Sequence, residues 1–397
     1  MTATLLKGFE VELFTGRSDG TVVGCSAAAA AALAGFVTEP DHRNLEYVTP
    51  PSQDYRTLLA LLLEPRQRLR DWLSGRGLTL LPGSTLSLGD SGRFERSDPD
   101  HPYHDYIEST YGTRVVTASV HINMGLTPGS GFETMANLFA GLRLLRCEAC
   151  LLLALSASSP FLDGRVTGAH SQRWLQFPLT PPRVPLFLDH GHYIDWMEAQ
   201  LADGAMQNVR HLWTSVRPNG VDRPHDLNRI EIRICDLVSD PALLLAITAL
   251  AELRLHQLMA DPESGDPLRV SQLTAAELAQ LADSNDQASA RDSLDAELRH
   301  WRDGRPIRCR DWITTLLADL ENLSGSLGLN ALLQPIRSVL EEGNQAMRWL
   351  GRHQGGEAIP SILREEVRRM AEQEEQLAGS IRQSATSHTD AGKGALG

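Results

Sequence analysis

Four segments in the first 236 residues alternate with a period of two, and each sets an apolar face against a face that carries charge. In Gly8–Leu13, Glu10 and Glu12 share one face while Phe9, Val11 and Leu13 share the other. In Asn44–Thr49, Asn44, Glu46 and Val48 oppose Leu45, Tyr47 and Thr49. In Ser119–Gly125, Ser119, His121 and Asn123 oppose Val120, Ile122 and Met124, and in Arg229–Asp236, Arg229, Glu231 and Arg233 oppose Ile230, Ile232 and Ile234. This pattern requires a sheet with one buried and one polar face. On the first strand it also sets two carboxylates about 7 Å apart on one face, where like charges repel.

A solvated face is the plain explanation, but such faces are usually filled with Lys, Thr, Ser and Gln. Here Glu10, Glu12, Glu46, Glu231 and His121 come from four separate strands without one Lys among them. Oxygen ligands with an occasional imidazole suit Mg²⁺ or Mn²⁺, so the pattern favours a metal–phosphate site. Arg229 and Arg233 flank Glu231 at two residues on either side. A carboxylate for metal and guanidinium groups for phosphate oxygens are what phosphoryl transfer to a carboxylate substrate needs. Neither G-x-x-x-x-G-K-[ST] nor G-x-G-x-x-G occurs, which excludes a P-loop and a Rossmann nucleotide site.

Two loops accompany the strands. The stretch LSASSPFLDGRVTGAHSQRW follows a helix expected at about 133–157 and offers Ser158, Ser159, Arg165, Ser171 and Arg173 to a substrate carboxylate. The stretch SDPDHPYHDY (97–106) holds Asp98, Asp100, His101, His104 and Asp105 in a spacing that matches no regular zinc site, and is expected to be a mobile loop at the rim.

From Asp240 onward the chain reads as helical: 241–259, a capping-box start at Thr274–Glu277, then 288–302, 311–327, 330–350 and 361–382. Strands and helices first and helices last predict an α+β fold, with helices covering one face of a mostly antiparallel sheet. The boundaries expected are a catalytic core at 1–262, a helical part at 263–382 packed on it, and a disordered tail at 383–397. The helix before the tail, rich in Arg and Glu, is expected to be solvated.

The formal charge of −13 argues against a nucleic-acid backbone as partner. No leader-like segment opens the chain, and the most apolar run, 150–155, is far shorter than the roughly 20 residues of a membrane span. The five cysteines form no secreted-type framework, and the Cys147–Cys150 pair lacks a second pair for zinc. The expectation is a cytoplasmic protein without a membrane partner.

The segments GFEVE, HRNLEYVTPP, SVHINMG, ALSASSPFLDGRVTGAHSQR and RIEIRICD occur in the order found in the carboxylate–amine ligases. The chain resembles glutamate–cysteine ligases of the cyanobacterial type over about residues 8–236. The resemblance implies a glutamine-synthetase-like fold, a curved and mostly antiparallel sheet whose polar concave face is the site. It implies ATP-dependent joining of the glutamate γ-carboxylate to the cysteine amine through γ-glutamyl phosphate, the first step toward glutathione. By motif, Glu10, Glu12, Glu46, His121 and Glu231 match metal ligands, with Glu46 also a candidate contact to the substrate amine. Arg233 matches the arginine at the ATP phosphates, with Arg229 beside it, while Ser171 and Arg173 match a pair near the substrate carboxylate, together with Arg165. Glu10, Glu231 and Arg233 are the residues expected to carry catalysis. An insertion, NGVDRPHDLN, separates Arg217-Pro218 from the last strand and leaves the part of Arg217 at the ATP open. Partners so implied are glutamate, cysteine and ATP, with Mg²⁺ or Mn²⁺ as cofactor and homo-oligomerisation open. Two other readings stand beside this one: a ligase using another amine, and a non-catalytic metal or nucleotide sensor.

Overall fold

The computed structural model describes residues 5–125, 134–210 and 215–393, the last ten as backbone alone. The strands are β1 (Leu6–Gly16), β2 (Phe36–Thr38), β3 (Asn44–Val48), β4 (Thr79–Leu81), β5 (Val120–Gly125), a small hairpin of β6 (Phe161–Leu162) and β7 (Arg165–Val166), then β8 (Val216–Asn219) and β9 (Arg229–Ile232). Seven of them form one sheet in the order β2-β3-β1-β5-β9-β8, with β4 paired to the far end of β1. Every pairing in it is antiparallel.

The predicted face assignment holds strand by strand. Phe9, Val11, Leu13, Leu45, Tyr47, Val120, Ile122, Ile230 and Ile232 are all buried. The insertion after Arg217-Pro218 is the loop of the β8–β9 hairpin, so Arg217 sits directly opposite Glu231.

Against the sheet lie α4 (Met135–Ser156) and α7 (Pro241–Ala260), following α1 (Ser26–Ala32), α2 (Tyr55–Ser74), α3 (Pro102–Tyr111), α5 (Gln172–Gln176) and α6 (His190–Ala202). Helix α4 packs on β8, β9 and α7, and every residue from Leu138 to Ser156 is buried. A helix buried all round must pair its charges. Arg143 binds Asp266 (2.9 and 2.5 Å), Arg146 binds Asp286 (2.6 Å) and Asp283, and Glu148 binds Arg254 (2.8 and 2.6 Å). Three of these partners belong to the helical third, which is therefore bonded to the core. Likewise Lys7, on the buried face of β1, pairs with Glu252 of α7 at 3.0 Å.

Helix α7, far longer than the apolar run at 150–155, is long and apolar enough to cross a bilayer, and 72% of that stretch is buried within the fold. Cys147 and Cys150 are buried on α4, and burial pushes the Cys147 thiol up to about 12. They are core side chains.

Four local expectations are corrected. Residues 288–302 are not one helix: the helix Ala275–Asp292, which opens with the predicted capping box, is followed by an antiparallel hairpin of β10 (Glu297–Arg299) and β11 (Pro306–Arg308). Its turn carries Gly304 at φ +71°, which a helix cannot accommodate. Much of the 97–106 loop is instead the start of α3, with His101 as N-cap and Pro102 at the first turn, where proline fits. The last helix runs Ile359–Lys393, past the boundary at 383, and residues 394–397 lie outside the described residues. That helix is not merely solvated: its buried Glu374 binds Arg70 (2.6 Å) and Arg66 (3.4 Å) of α2.

Candidate active site

Strand register brings the polar residues together. Glu12 pairs across to Glu46, Glu10 to His121, and Glu231 to both Asn123 and Arg217. Because β1 lies between β3 and β5, its two glutamates serve as a bridge between both sides of the face. Together with Arg173, Arg217 and Arg233 they line a cavity of about 380 Å³.

On one side, Glu10 Oε2 lies 2.9 Å from His121 Nδ1 and Oε1 accepts from Asn123 Nδ2 at 3.1 Å. Ser119 donates to Glu12 Oε2 through N–H (2.8 Å) and Oγ (2.9 Å). Glu231, fully buried, is held by Arg217 (Nε to Oε2 2.7 Å, Nη2 to Oε1 3.1 Å), Asn219 (2.7 Å) and Arg233 (2.5 Å). Arg233 Nη1 also lies 3.3 Å from His121 Nδ1. The guanidinium therefore points onto the Glu231 face, as the isoleucines on either side of it require.

The carboxylates fall into two sets whose ligand atoms lie within 4.8 Å of one another: Glu10, His121 and Glu231, and Glu12, Glu39 and Glu46. His121 Nε2 lies 3.7 Å from Glu12 Oε1 and joins the two. Glu39 went unnoticed in the sequence. It follows β2, where Val37 pairs with Glu46, so the alternation that runs on to Glu39 was the available signal.

Electrostatics separate the sets. Burial works to raise Glu10, but the hydrogen bond and charge of His121 overcome it and hold the carboxyl at about 2. Burial, then Glu12 and Glu10, push Glu46 up to about 8. Glu39 is raised well above the ordinary range by burial, then by Glu12 and Glu46. Without a cation, Glu39 and Glu46 resist ionising at neutral pH. This all-oxygen set fits a hard divalent cation. The Glu231 set fits less well, because both oxygens of Glu231 already accept from guanidinium groups.

The family model for glutamate–cysteine ligase family 2 matches residues 6–376 of the chain. The chain belongs to glutamate–cysteine ligase family 2. It is 27% identical over 320 residues to "Putative glutamate--cysteine ligase 2" of Gloeobacter violaceus, covering 79% of this chain and 81% of that protein. It is 29% identical over 313 residues to the protein of the same name from Sorangium cellulosum, covering 77% and 78%. Among solved structures, the glutamate–cysteine ligase of Francisella tularensis in complex with AMP superposes with a TM-score of 0.69 at 12% identity, covering 98% of this chain and 94% of that one. The bifunctional glutathione synthetase of Pasteurella multocida gives 0.70 at 14% identity, covering 94% of this chain and 53% of that one. At those identities the likeness is one of fold, and it bears out the expected glutamine-synthetase-like architecture.

Within that family frame, two expected substrate contacts are misplaced. Arg165 is exposed on the β6–β7 hairpin and does not line the cavity. Ser171 is buried, donates Oγ to Asp236 at 2.7 Å and caps α5, so its hydroxyl serves the scaffold. Asp236 also accepts from Ser158 N–H (2.9 Å) and Ser159 Oγ (2.7 Å). These serines, singled out as substrate groups, brace the loop that delivers Arg173. Arg173 does line the cavity, and donates to the carbonyls of Ile234 and Arg233 at 3.0 Å each.

Arg229 lies further along the face, where its Nε donates to Asn123 Oδ1 at 3.0 Å. It lines a second cleft of about 300 Å³, more apolar, bordered by Leu6, Val48 and Pro51 and sharing Glu10 with the first. His101, Tyr103 and His104 of the α3 start form the opposite wall of the main cavity. The region 97–106 is therefore at the rim as expected, but as a helix start.

Proposed function

We propose that this chain catalyses ATP-dependent ligation of the L-glutamate γ-carboxylate to the amine of L-cysteine, through γ-glutamyl phosphate, giving γ-glutamylcysteine, ADP and phosphate. The carrying observation is the convergence of Glu10, Glu12, Glu39 and Glu46 with Arg173, Arg217 and Arg233 on one cavity, with Glu231 buried behind it and holding Arg217 and Arg233. Acid groups for cations and guanidinium groups for oxyanions in one cavity suit the joining of a carboxylate to an amine by way of a phosphoryl group.

The apolar cleft at Leu6, Val48 and Pro51 suits the nucleotide base, which directs the phosphates past Glu10 toward Arg233. Arg233, with Arg217 and Glu231 fixing its position, meets charge developing on the transferred phosphoryl group. The γ-carboxylate oxygen attacks phosphorus and ADP leaves. The amine then attacks the acyl carbon, phosphate departs with the C–O bond electrons, and the amine's proton passes to solvent. Arg173, which lines the cavity, would hold the glutamate α-carboxylate. Glu12, Glu39 and Glu46 would hold Mg²⁺, which when bound neutralises polyphosphate charge.

The test is ATP-dependent phosphate release by the purified protein with Mg²⁺ and glutamate, screened over amino-acid acceptors with product mass determined. Cysteine-dependent release and a γ-glutamylcysteine mass are expected. Release supported by another amine and not by cysteine defeats the acceptor assignment, and no release with any amine defeats the ligase reading.

A further inference from the structure

A cavity of about 450 Å³ lies among the helices of the last third and shares no lining residue with the site described above. Its floor is Ser156 at the end of α4 and the segment 237–240 after β9, one residue beyond Asp236. Its walls come from the helices Gln334–Glu342, Gln345–Gln354 and Ile359–Lys393. That size suits a small molecule.

The charges of this lining are not balanced pair by pair. Arg348 donates Nη1 to the Gly343 carbonyl at 2.9 Å, yet no carboxylate forms an ion pair with it among the described residues. Glu342, exposed at the end of the preceding helix where it borders the cavity, has no ion pair among the described residues either. Glu366 is already shared by Arg352 (3.5 Å) and Arg369 (3.7 Å). Burial and the like charge of Arg369 act against the cation on Arg348, while Glu366, Glu342 and Asp240 support it only in part. Ser239, 6% exposed, has a hydroxyl without a hydrogen-bond partner among the described residues, and Gln345 Nε2 and Arg348 Nε likewise have none. Polar groups shut off from water are normally satisfied.

A hydrocarbon ligand would leave these groups unpaired. A polyphosphate would meet three carboxylates, Asp240, Glu342 and Glu366, against two arginines. A molecule with one carboxylate and one ammonium meets both unpaired charges at once. We infer that this cavity binds a small zwitterion, an amino acid or short peptide, with its carboxylate on Arg348 and its ammonium on Glu342. The inference does not depend on the reaction proposed above.

The experiment is calorimetric titration of the full-length protein with glycine, L-glutamate and a γ-glutamyl dipeptide, with succinate and ethanolamine as probes lacking one charge. Wild type, Arg348→Gln and Glu342→Gln are compared, and Ser338→Trp fills the cavity without touching either charge. At least one zwitterion should bind wild type and lose about 10-fold or more in affinity in each variant, with the melting temperature and basal turnover unchanged. Affinities unaltered by all three substitutions place the binding in the catalytic cavity and overturn the inference. So does an absence of binding at about 10 mM probe. Succinate binding that Arg348→Gln removes and Glu342→Gln leaves intact reduces the site to a plain anion site and overturns the zwitterion assignment. Should Arg348→Gln fail to fold, Glu342→Gln and Ser338→Trp decide alone.

Discussion

Arg217 holds both oxygens of Glu231 across the β8–β9 pair, with Nε to Oε2 at 2.7 Å and Nη2 to Oε1 at 3.1 Å. This fork leaves Arg233, which reaches the same carboxylate by Nη1 alone, positioned with its remaining nitrogens toward the cavity. Glu231 is thus an anchor for two arginines before it is anything else. A lysine has one point donor and cannot reproduce the fork. Arg217→Lys should fold normally and lose about 10²-fold in kcat, with a smaller change in KM for ATP. Steady-state kinetics check this, and near-normal turnover would show that the fork is dispensable.

Glu39 makes a different test, because only the folded arrangement revealed it. If Glu12, Glu39 and Glu46 hold Mg²⁺, the ion should stabilise the wild-type protein by about 2.7 kcal/mol at a hundredfold excess over Kd. Glu39→Gln should shrink that gain and shift the Mg²⁺ dependence of turnover to higher concentration. Equal Mg²⁺-induced shifts in melting temperature for both proteins would remove Glu39 from the metal set.

The same carboxylates set a pH dependence. Glu46 stands at about 8 in the folded protein, above the ordinary value of 4.5. A carboxyl raised by folding favours the native state fully below about 4.5, and that contribution is lost as pH rises through about 8. Metal-free wild type should therefore lose melting temperature between pH 5 and 9 relative to Glu46→Gln, roughly over that interval. Glu10 has the opposite sign: held at about 2, its contribution is present above 4.5 and lost as pH falls through 2. Parallel melting curves for wild type and Glu46→Gln across the alkaline range would contradict the first of these.

What the sequence disclosed follows from how each signal is encoded. Period-two alternation is local, so Glu10, Glu12, Glu46, His121 and Glu231 could be assigned to one face before any pairing was known. Which of them meet is a matter of register, set by distant segments. Five expected ligands therefore became two sets, with Glu39 added and Glu231 bound up with arginine. Asp236 was invisible as an organiser for the same reason, since its three donors lie 65 to 78 residues away. Helix α3 was hidden by its own cap: Asp, His and Pro mark turns and also begin helices, and local composition cannot separate the two uses.

The arginine and serines of the 154–173 segment supply the last test, because sequence and structure disagree over them. Arg165 is exposed and away from the cavity, so Arg165→Ala should leave stability within about 0.5 kcal/mol and kinetics unchanged. Ser171 donates to buried Asp236 and caps α5 by accepting from Trp174 N–H at 3.2 Å. Ser171→Ala removes a hydrogen bond to a charged acceptor and a cap, and should cost about 2 kcal/mol in stability. Its KM for glutamate should stay near normal in the folded fraction, since the hydroxyl meets the scaffold and not the cavity. Arg173→Lys should behave in reverse, raising KM for glutamate with a modest loss of stability, because a lysine cannot span the carbonyls of Ile234 and Arg233 while facing a carboxylate. Denaturant titration beside glutamate saturation curves separates the three. A Ser171→Ala protein with unchanged stability and a large rise in KM would return that hydroxyl to the substrate.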